Sequence, residues 1–225
     1  MMSSTRRLRC VACLRPGATC LCDVAAPVAH QAEVLILQHP LESSHAKGTA
    51  RLLHLCLPRS RLEVGEVFDV ESLQRWLAAP WDGAALDTPP DIGQRTVLLY
   101  PPSPPDPALP LIAPPPLPPA WLAGDPAALR LVVLDGTWRK SRKMLYLNPL
   151  LQQLPRLLLP DLPAPRYRIR RAHAPHQLST LEATCTALAH VEGSADRYAP
   201  VLDALEVFMA RQSARVPPAA SPANC

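Results

Sequence analysis

Aromatic side chains are scarce in this chain of 225 residues, at 4%, and there are only eight glycines. The glycines form neither a G-x-G-x-x-G turn nor a P-loop, which excludes the common nucleotide-binding fingerprints. No apolar run approaches the roughly 20 residues that cross a bilayer. The basic amino terminus leads straight into Cys10-Val11-Ala12-Cys13 with no apolar signal core. No internal repeat is visible. The net charge is only +4, which suits a polyanionic partner without demanding one. From these absences a soluble cytoplasmic protein is expected, with no membrane and no obligate protein partner. Hydrophobic residues make up 48% of the chain, enough for one sizeable core with a small appended module.

Proline, by contrast, is abundant, with 29 residues. The stretch 101–119 is dense in it and has no helical or strand period, which predicts an extended surface connection, partly polyproline II. A docking site for a proline-recognising partner is the functional alternative. The tail, 216–225, is expected to fray. Elsewhere, apolar runs predict strands at 32–38, within 61–68, at 96–100 and from Leu131, with a candidate strand at 167–170. Helices are predicted from Ser43 or Ser44 to about Leu57, and over 71–78, 179–191 and 197–211. Strands alternating with helices indicate an α/β fold, a predominantly parallel sheet covered by helices.

Four of the seven cysteines crowd near the start, favouring a metal site in a reducing compartment over a disulfide framework. Cys10, Cys13, Cys20 and Cys22 have the spacing C-x2-C-x6-C-x-C, with Arg15, Pro16 and Gly17 supplying turn chemistry between the pairs. Two close pairs can complete a tetrahedral tetrathiolate. Zinc is the default ion, since it favours tetrahedral sulfur without redox cycling. An iron–sulfur cluster and a redox dithiol are the alternatives. Such a closed knuckle acts as a staple or an RNA-contacting knob. Cys56 and Cys185 fall on apolar helix faces and are expected in the core.

The densest information lies between Leu131 and Met144, where an apolar, β-branched run ends in Asp135-Gly136-Thr137-Trp138 and a basic helix begins. A buried strand ending this way presents a carboxylate at its carboxyl end, where open α/β sheets place ligands. Asp135 then sits at a pocket rim, and Gly136 permits a sharp backbone turn. Thr137 caps the helix. Trp138 offers a flat surface for a base or cofactor, or anchors the helix start in the core. An ordinary strand, turn and amphipathic helix is the structural alternative. Ser179-Thr180-Leu181-Glu182 reads first as a capping box.

Several further segments appear in order along the chain: the cysteine knuckle, His39-Pro40-Leu41-Glu42, Gly48-Thr49-Ala50-Arg51-Leu52-Leu53, Leu98-Leu99-Tyr100-Pro101-Pro102, Arg142-Lys143-Met144, Tyr167-Arg168-Ile169-Arg170 and Ser179-Thr180-Leu181-Glu182-Ala183. With the D-x-T-W signature at Asp135, the chain resembles the DTW-domain family, the tRNA-uridine aminocarboxypropyltransferases. Gly48 departs from the pattern, because the family often has Asn before the threonine; this weakens any side-chain role there.

The resemblance implies a SAM-dependent enzyme with a SPOUT-like fold, its carboxyl-terminal half knotted. It implies transfer of the 3-amino-3-carboxypropyl group of SAM to N3 of a tRNA uridine, usually in the variable loop. The cofactor would lie in loops after strands, at Leu99, Tyr100, Pro101, Leu134, Gly136, Thr137 and Trp138, and at the helix start, Ser179 and Thr180. Asp135 is then the candidate general base for the N3 proton, its structural alternative being a turn or cap carboxylate. Arg139, Lys140, Arg142, Lys143, Arg168, Arg170 and Arg171 are the tRNA candidates. The implied organisation is a zinc knuckle (1–28), a transferase domain (29–215) and the tail. Two competing readings are a SPOUT-type RNA methyltransferase or ribosomal RNA aminocarboxypropyltransferase, and a non-catalytic zinc-containing RNA-binding module.

Overall fold

The structure, a computed structural model, describes residues 9–81, 94–159, 166 and 178–214. Its regular elements in chain order are β1 (Glu33–Gln38), α1 (Pro40–Ser43), α2 (Ala50–Cys56), β2 (Ser60–Val64), α3 (Val70–Ala78), β3 (Arg95–Leu99), α4 (Pro119–Leu122), β4 (Leu129–Asp135), α5 (Trp138–Leu147), α6 (Pro149–Gln152), β5 (Arg156–Leu157), α7 (Thr180–Glu192) and α8 (Ala199–Ala214). The five strands form one parallel sheet in the order β2-β1-β4-β3-β5. The chain leaves β1 toward one edge and leaves β4 toward the other. The carboxyl ends of β1 and β4 therefore flank a topological switch, where open α/β sheets form ligand crevices.

Every residue of β1 and β4 is buried, as strands covered on both faces must be. The two-residue side-chain period sorts them. Val34, Ile36, Leu131 and Val133 join α2, α7 and α8 in one core; Leu35, Leu37, Val132 and Leu134 join α3, α5 and α6 in the other. Cys13, Leu21, Val24 and Val28 belong to the first core, so the knuckle packs on the helices that cover the sheet. Arg15 secures it further, donating to the carbonyls of Ala46 (2.9 Å) and Gly48 (3.1 Å) while its guanidinium lies 5.2 Å from the Phe208 ring centre. Cys56 and Cys185 are buried, as expected.

The predicted helix from Ser43 or Ser44 is corrected. His39 instead caps the short α1, its Nδ1 accepting from the Leu41 amide at 3.1 Å, and the chain turns through 44–49 before α2 starts at Ala50. The connection at 101–118 has no helix or strand, in keeping with its proline content. β5, α4 and α6 were not predicted. The candidate strand at 167–170 lies outside the described residues.

One unforeseen feature supports the amino-terminal edge of the sheet. Arg130 is fully buried and faces its register partner Glu33. Its Nε donates to Glu33 Oε2 at 2.8 Å, and its Nη atoms donate to the carbonyls of Trp76 (2.6 Å) and Ala79 (2.8 Å) at the end of α3. The Trp81 ring lies against the guanidinium at 4.4 Å. Thus every face of this buried cation is met by an acid, a carbonyl or a π-system, as its desolvation requires.

Candidate active site

Asp135 ends β4 on the sheet face that carries Leu131 and Val133, which is the face beneath α7. Its register partner on β1 is Gln38. Gln38 Nε2 donates to Asp135 Oδ2 at 2.9 Å, and Thr180 Oγ1, in the first turn of α7, donates to Oδ1 at 2.7 Å. The carboxylate is 7% exposed. The expected projecting acid is therefore corrected to a buried acceptor of hydrogen bonds from two other elements. Ser179 positions Thr180 through the predicted capping box: Ser179 Oγ accepts from the Glu182 amide at 3.3 Å, and Glu182 Oε2 accepts from the Ser179 amide at 2.8 Å.

A cavity of about 250 Å³ opens beside this pair, across the carboxyl ends of β3, β4 and β5. The structure brings Leu99, Tyr100, Pro101, Leu134, Gly136, Trp138, Ser179 and Thr180 together in its wall, with Val133, Ser141, Leu157, Leu158 and Leu178. Thr137 and Asp135 are not in that wall. Thr137 caps α5, its Oγ1 accepting from the Lys140 amide at 3.4 Å, while Asp135 reaches the cavity through Thr180. Gly136 does not adopt a left-handed backbone. Its glycine is explained by close approach, because a Cβ there would lie 3.2 Å from Lys140 Cβ. The aliphatic walls suit a flat purine, and Ser141, Ser179 and Thr180 supply polar groups at one side, the usual division of a small-molecule site. The donor expected from the sequence fits that chemistry.

The basic side chains divide. Arg139 is exposed and has no ion-pair partner among the described residues. Lys140 bonds the buried Glu42 at 2.8 Å. Arg142 donates to the carbonyls of Leu109 (3.1 Å) and Pro104 (2.9 Å) and lies 3.6 Å from Asp106. Lys143 bonds Glu66 at 3.0 Å, and His39 Nε2 also meets Glu66 at 3.0 Å; these two hydrogen bonds, that of Lys143 first, hold the Glu66 carboxyl below its ordinary value. Lys140 thus ties α5 to α1, and Arg142 ties it to the segment 104–109. Arg168, Arg170 and Arg171 lie outside the described residues.

The sulfurs of Cys10, Cys13, Cys20 and Cys22 all lie within 4.8 Å of one another, with Cys10–Cys22 at 3.5 Å and Cys13–Cys20 at 3.6 Å. Four sulfurs about 2.3 Å from a tetrahedral ion would stand about 3.8 Å apart, so the cluster fits such an ion. Backbone amides of Cys13 and Ala12 pull the Cys10 thiol down to about 6, while its sulfur neighbours, Cys10 first, push Cys22 up to about 12. The turn that gathers the first pair takes Leu14 into the left-handed region, at φ 56°.

The family model described as the DTW domain matches residues 7–213, nearly the whole chain. The chain belongs to the DTW domain family. It is 35% identical over 145 residues to a protein of Arabidopsis thaliana named tRNA-uridine aminocarboxypropyltransferase A, covering 62% of this chain and 50% of that one. Proteins named tRNA-uridine aminocarboxypropyltransferase 2 from Mus musculus and Drosophila melanogaster are each 29% identical, over 191 and 195 residues. Each alignment takes in 83% of this chain, with 57% of the mouse protein and 68% of the fly protein. The chain thus spans about half to two thirds of the length of these relatives. No solved structure matches it.

In this DTW domain, sequence reasoning missed Gln38, Ser141 and the stretch Leu157–Leu159. Gln38 carries no local signal: its role comes from a strand register joining residues 97 positions apart. The capping signature at Ser179 did point to the helix start that brings in Thr180.

Proposed function

We propose that this chain transfers the 3-amino-3-carboxypropyl group of SAM to N3 of a tRNA uridine, in the variable loop. The observation that carries the proposal is the cavity at the carboxyl ends of β3, β4 and β5, whose wall joins the turn after Asp135 to the Ser179–Thr180 helix start. The names of the relatives support the reaction and the tRNA substrate. When bound, the donor supplies a carbon made electrophilic by its sulfonium. The N3–carbon bond forms as the carbon–sulfur bond breaks, the electron pair going to sulfur.

The chain's own work is positioning and proton removal. The leucine-rich wall holds the purine and excludes water, and Ser141 and Ser179 orient the polar end. The N3 proton passes to Thr180 Oγ1 as the Thr180 hydroxyl proton passes to Asp135 Oδ1. That assignment keeps Asp135 as proton sink while respecting its burial, and the 2.7 Å bond between the two supports it. Gln38 holds the other carboxylate oxygen at 2.9 Å and fixes its direction.

The reading extends to the fold and the metal. The parallel sheet and the placement of the cavity suit a SPOUT-like fold within residues 29–215, whose knotted carboxyl-terminal half is what the family resemblance implies. The knuckle, 1–28, holds one structural zinc, and four cysteines kept as metal ligands and not as disulfides suit a reducing, cytoplasmic compartment.

The test is reaction of the purified protein with unmodified tRNA and SAM labelled in the carboxyl carbon, followed by nucleoside mass analysis. Label retained on a uridine is the expected result. A nucleoside heavier by one methyl group and carrying no label indicates a methyltransferase. tRNA binding with no SAM affinity by calorimetry indicates a non-catalytic binding module, and either outcome refutes the proposal.

A further inference from the structure

We propose that the acceptor uridine enters through a second cleft that shares a wall with the donor cavity, and that the Tyr100 hydroxyl donates a hydrogen bond to a carbonyl oxygen of its uracil. The inference rests on the reaction proposed above. It goes beyond that reading by naming where the RNA lies and which group stabilises the uracil as its proton leaves.

The second cleft, of about 980 Å³, runs between the proline-rich segment 102–109 and the start of α5. Tyr100, Pro102 and Trp138 line it and also line the donor cavity, so the two spaces meet at these three side chains. A transfer between two bound molecules needs such a junction, because the reacting atoms must approach within about 3–3.5 Å. Trp138 stands there 47% exposed, braced edge-to-face on Tyr100 with ring centres 5.7 Å apart. A large aromatic surface left open inside a cationic cleft is a platform on which a nucleobase stacks.

The chemistry of the cleft favours nucleic acid as the occupant: Arg142 and Lys143 are matched by Asp106 and Glu66, so the unmatched charge among the described residues is the positive Arg139, and it stands beside the exposed Trp138 ring. Arg139, Arg142 and Lys143 come from one side of α5, and Asp106 is the acid in the lining. Arg142 is the clasp that gives the cleft its outer wall. Prolines offer carbonyls but no N–H, and the Arg142 guanidinium binds two carbonyls of this segment, of Pro104 and Leu109. A second tie binds the same segment further along, where the Ile112 amide donates to Gln152 Oε1 at 2.9 Å. The connection is therefore a fixed wall. Arg139 remains exposed at the rim, placed to meet a phosphate.

An independent observation marks the junction as a ligand site. Tyr100 is 3% exposed, and its hydroxyl is buried without a hydrogen-bond partner among the described residues. A buried hydroxyl in that state is costly and calls for an explanation. A uracil carbonyl oxygen supplies one. As N3 loses its proton and bonds to carbon, negative charge develops on the adjoining carbonyl oxygens, and a fixed O–H donor stabilises it. Arg156, with its guanidinium 5.0 Å from the Tyr100 ring centre, keeps that ring in place.

The experiment compares wild type, Tyr100→Phe and Arg139→Ala by donor affinity in calorimetry, tRNA affinity across salt, and transfer kinetics on an unmodified tRNA. Tyr100→Phe should lower kcat by about tenfold to a hundredfold, with the KM for tRNA and the Kd for SAM each within about twofold. Arg139→Ala should keep kcat and the SAM Kd, raise the tRNA KM, and reduce the slope of log affinity against log salt by about 0.9. Full kcat in Tyr100→Phe, or a rise in its SAM Kd matching the loss, overturns the hydroxyl assignment. An unchanged tRNA KM and salt slope in Arg139→Ala overturns the cleft. A wild-type protein that forms no aminocarboxypropyl product refutes the reaction and the hydroxyl's role together, whereas the salt slope still decides the cleft.

Discussion

Asp135→Asn tests the proton path most directly. The carboxylate accepts from Gln38 Nε2 and Thr180 Oγ1, at 2.9 and 2.7 Å. Hydrogen bonds to a charged group contribute about 1.5–3 kcal/mol each. An asparagine can keep its oxygen toward Gln38, so its NH2 meets the Thr180 hydroxyl, which turns to accept. Both bonds lose their charge assistance and the one to Thr180 is also reversed, a combined loss of about 2 kcal/mol, which urea unfolding will read. The amide cannot take up a proton, so transfer should fall by about 10²–10⁴-fold. Thr180→Val removes the hydroxyl while keeping the side-chain shape, and should reach a similar floor. If the two residues form one relay, the double variant will be no slower than either single variant within about threefold, because a broken path cannot be broken twice. Independent roles would instead multiply the two losses. Single-turnover transfer at saturating SAM and tRNA separates this effect from binding. An Asp135→Asn enzyme within about threefold of wild type, or a multiplicative double variant, would falsify the relay.

Other consequences can be measured separately. Metal analysis should find one zinc per chain, and Cys20→Ser should lose it and lower Tm by at least about 5 °C, since the knuckle's Cys13, Leu21 and Val24 are part of the first core; an unchanged Tm would remove the stapling role. Arg130→Met should destabilise by up to about 3–5 kcal/mol in urea by leaving the buried Glu33 with only the longer Arg59 contact at 3.6 Å, whereas the double variant with Glu33→Leu should recover much of that loss. Stability should also fall in mild acid. Burial lowers the His30 and His54 values below the ordinary 6.5, so each is held neutral in the fold while the unfolded chain binds its proton first. Their contribution is complete above pH 6.5 and is lost as pH falls from there toward the folded values. A urea midpoint that stays flat from pH 7.5 to about pH 5 contradicts this.

The strands at β1, β3 and β4 were legible because each is an uninterrupted apolar run ended by a polar or proline residue, and a strand buried on both faces leaves that trace. β5 was not, because two residues have no period. The ion pairs of the basic side chains were not legible for a related reason. A lysine or arginine announces its charge locally, but Glu42, Glu66 and Asp106 approach it from other elements. The same limit explains both polar ends of the β1–β4 pair. Glu33 faces Arg130 at one end and Gln38 faces Asp135 at the other, each pair fixed by register. Because side chains alternate, positions separated by an odd number of residues point to opposite faces. Glu33 with Arg130 therefore turns toward α3, where the carbonyls of Trp76 and Ala79 receive the cation. Gln38 with Asp135 turns toward α7, where Thr180 completes the set. The parity of two short strands thus sends the structural ion pair under one helical layer and the candidate proton acceptor under the other, and a one-residue slip of register would exchange their surroundings and leave both carboxylates without their donors.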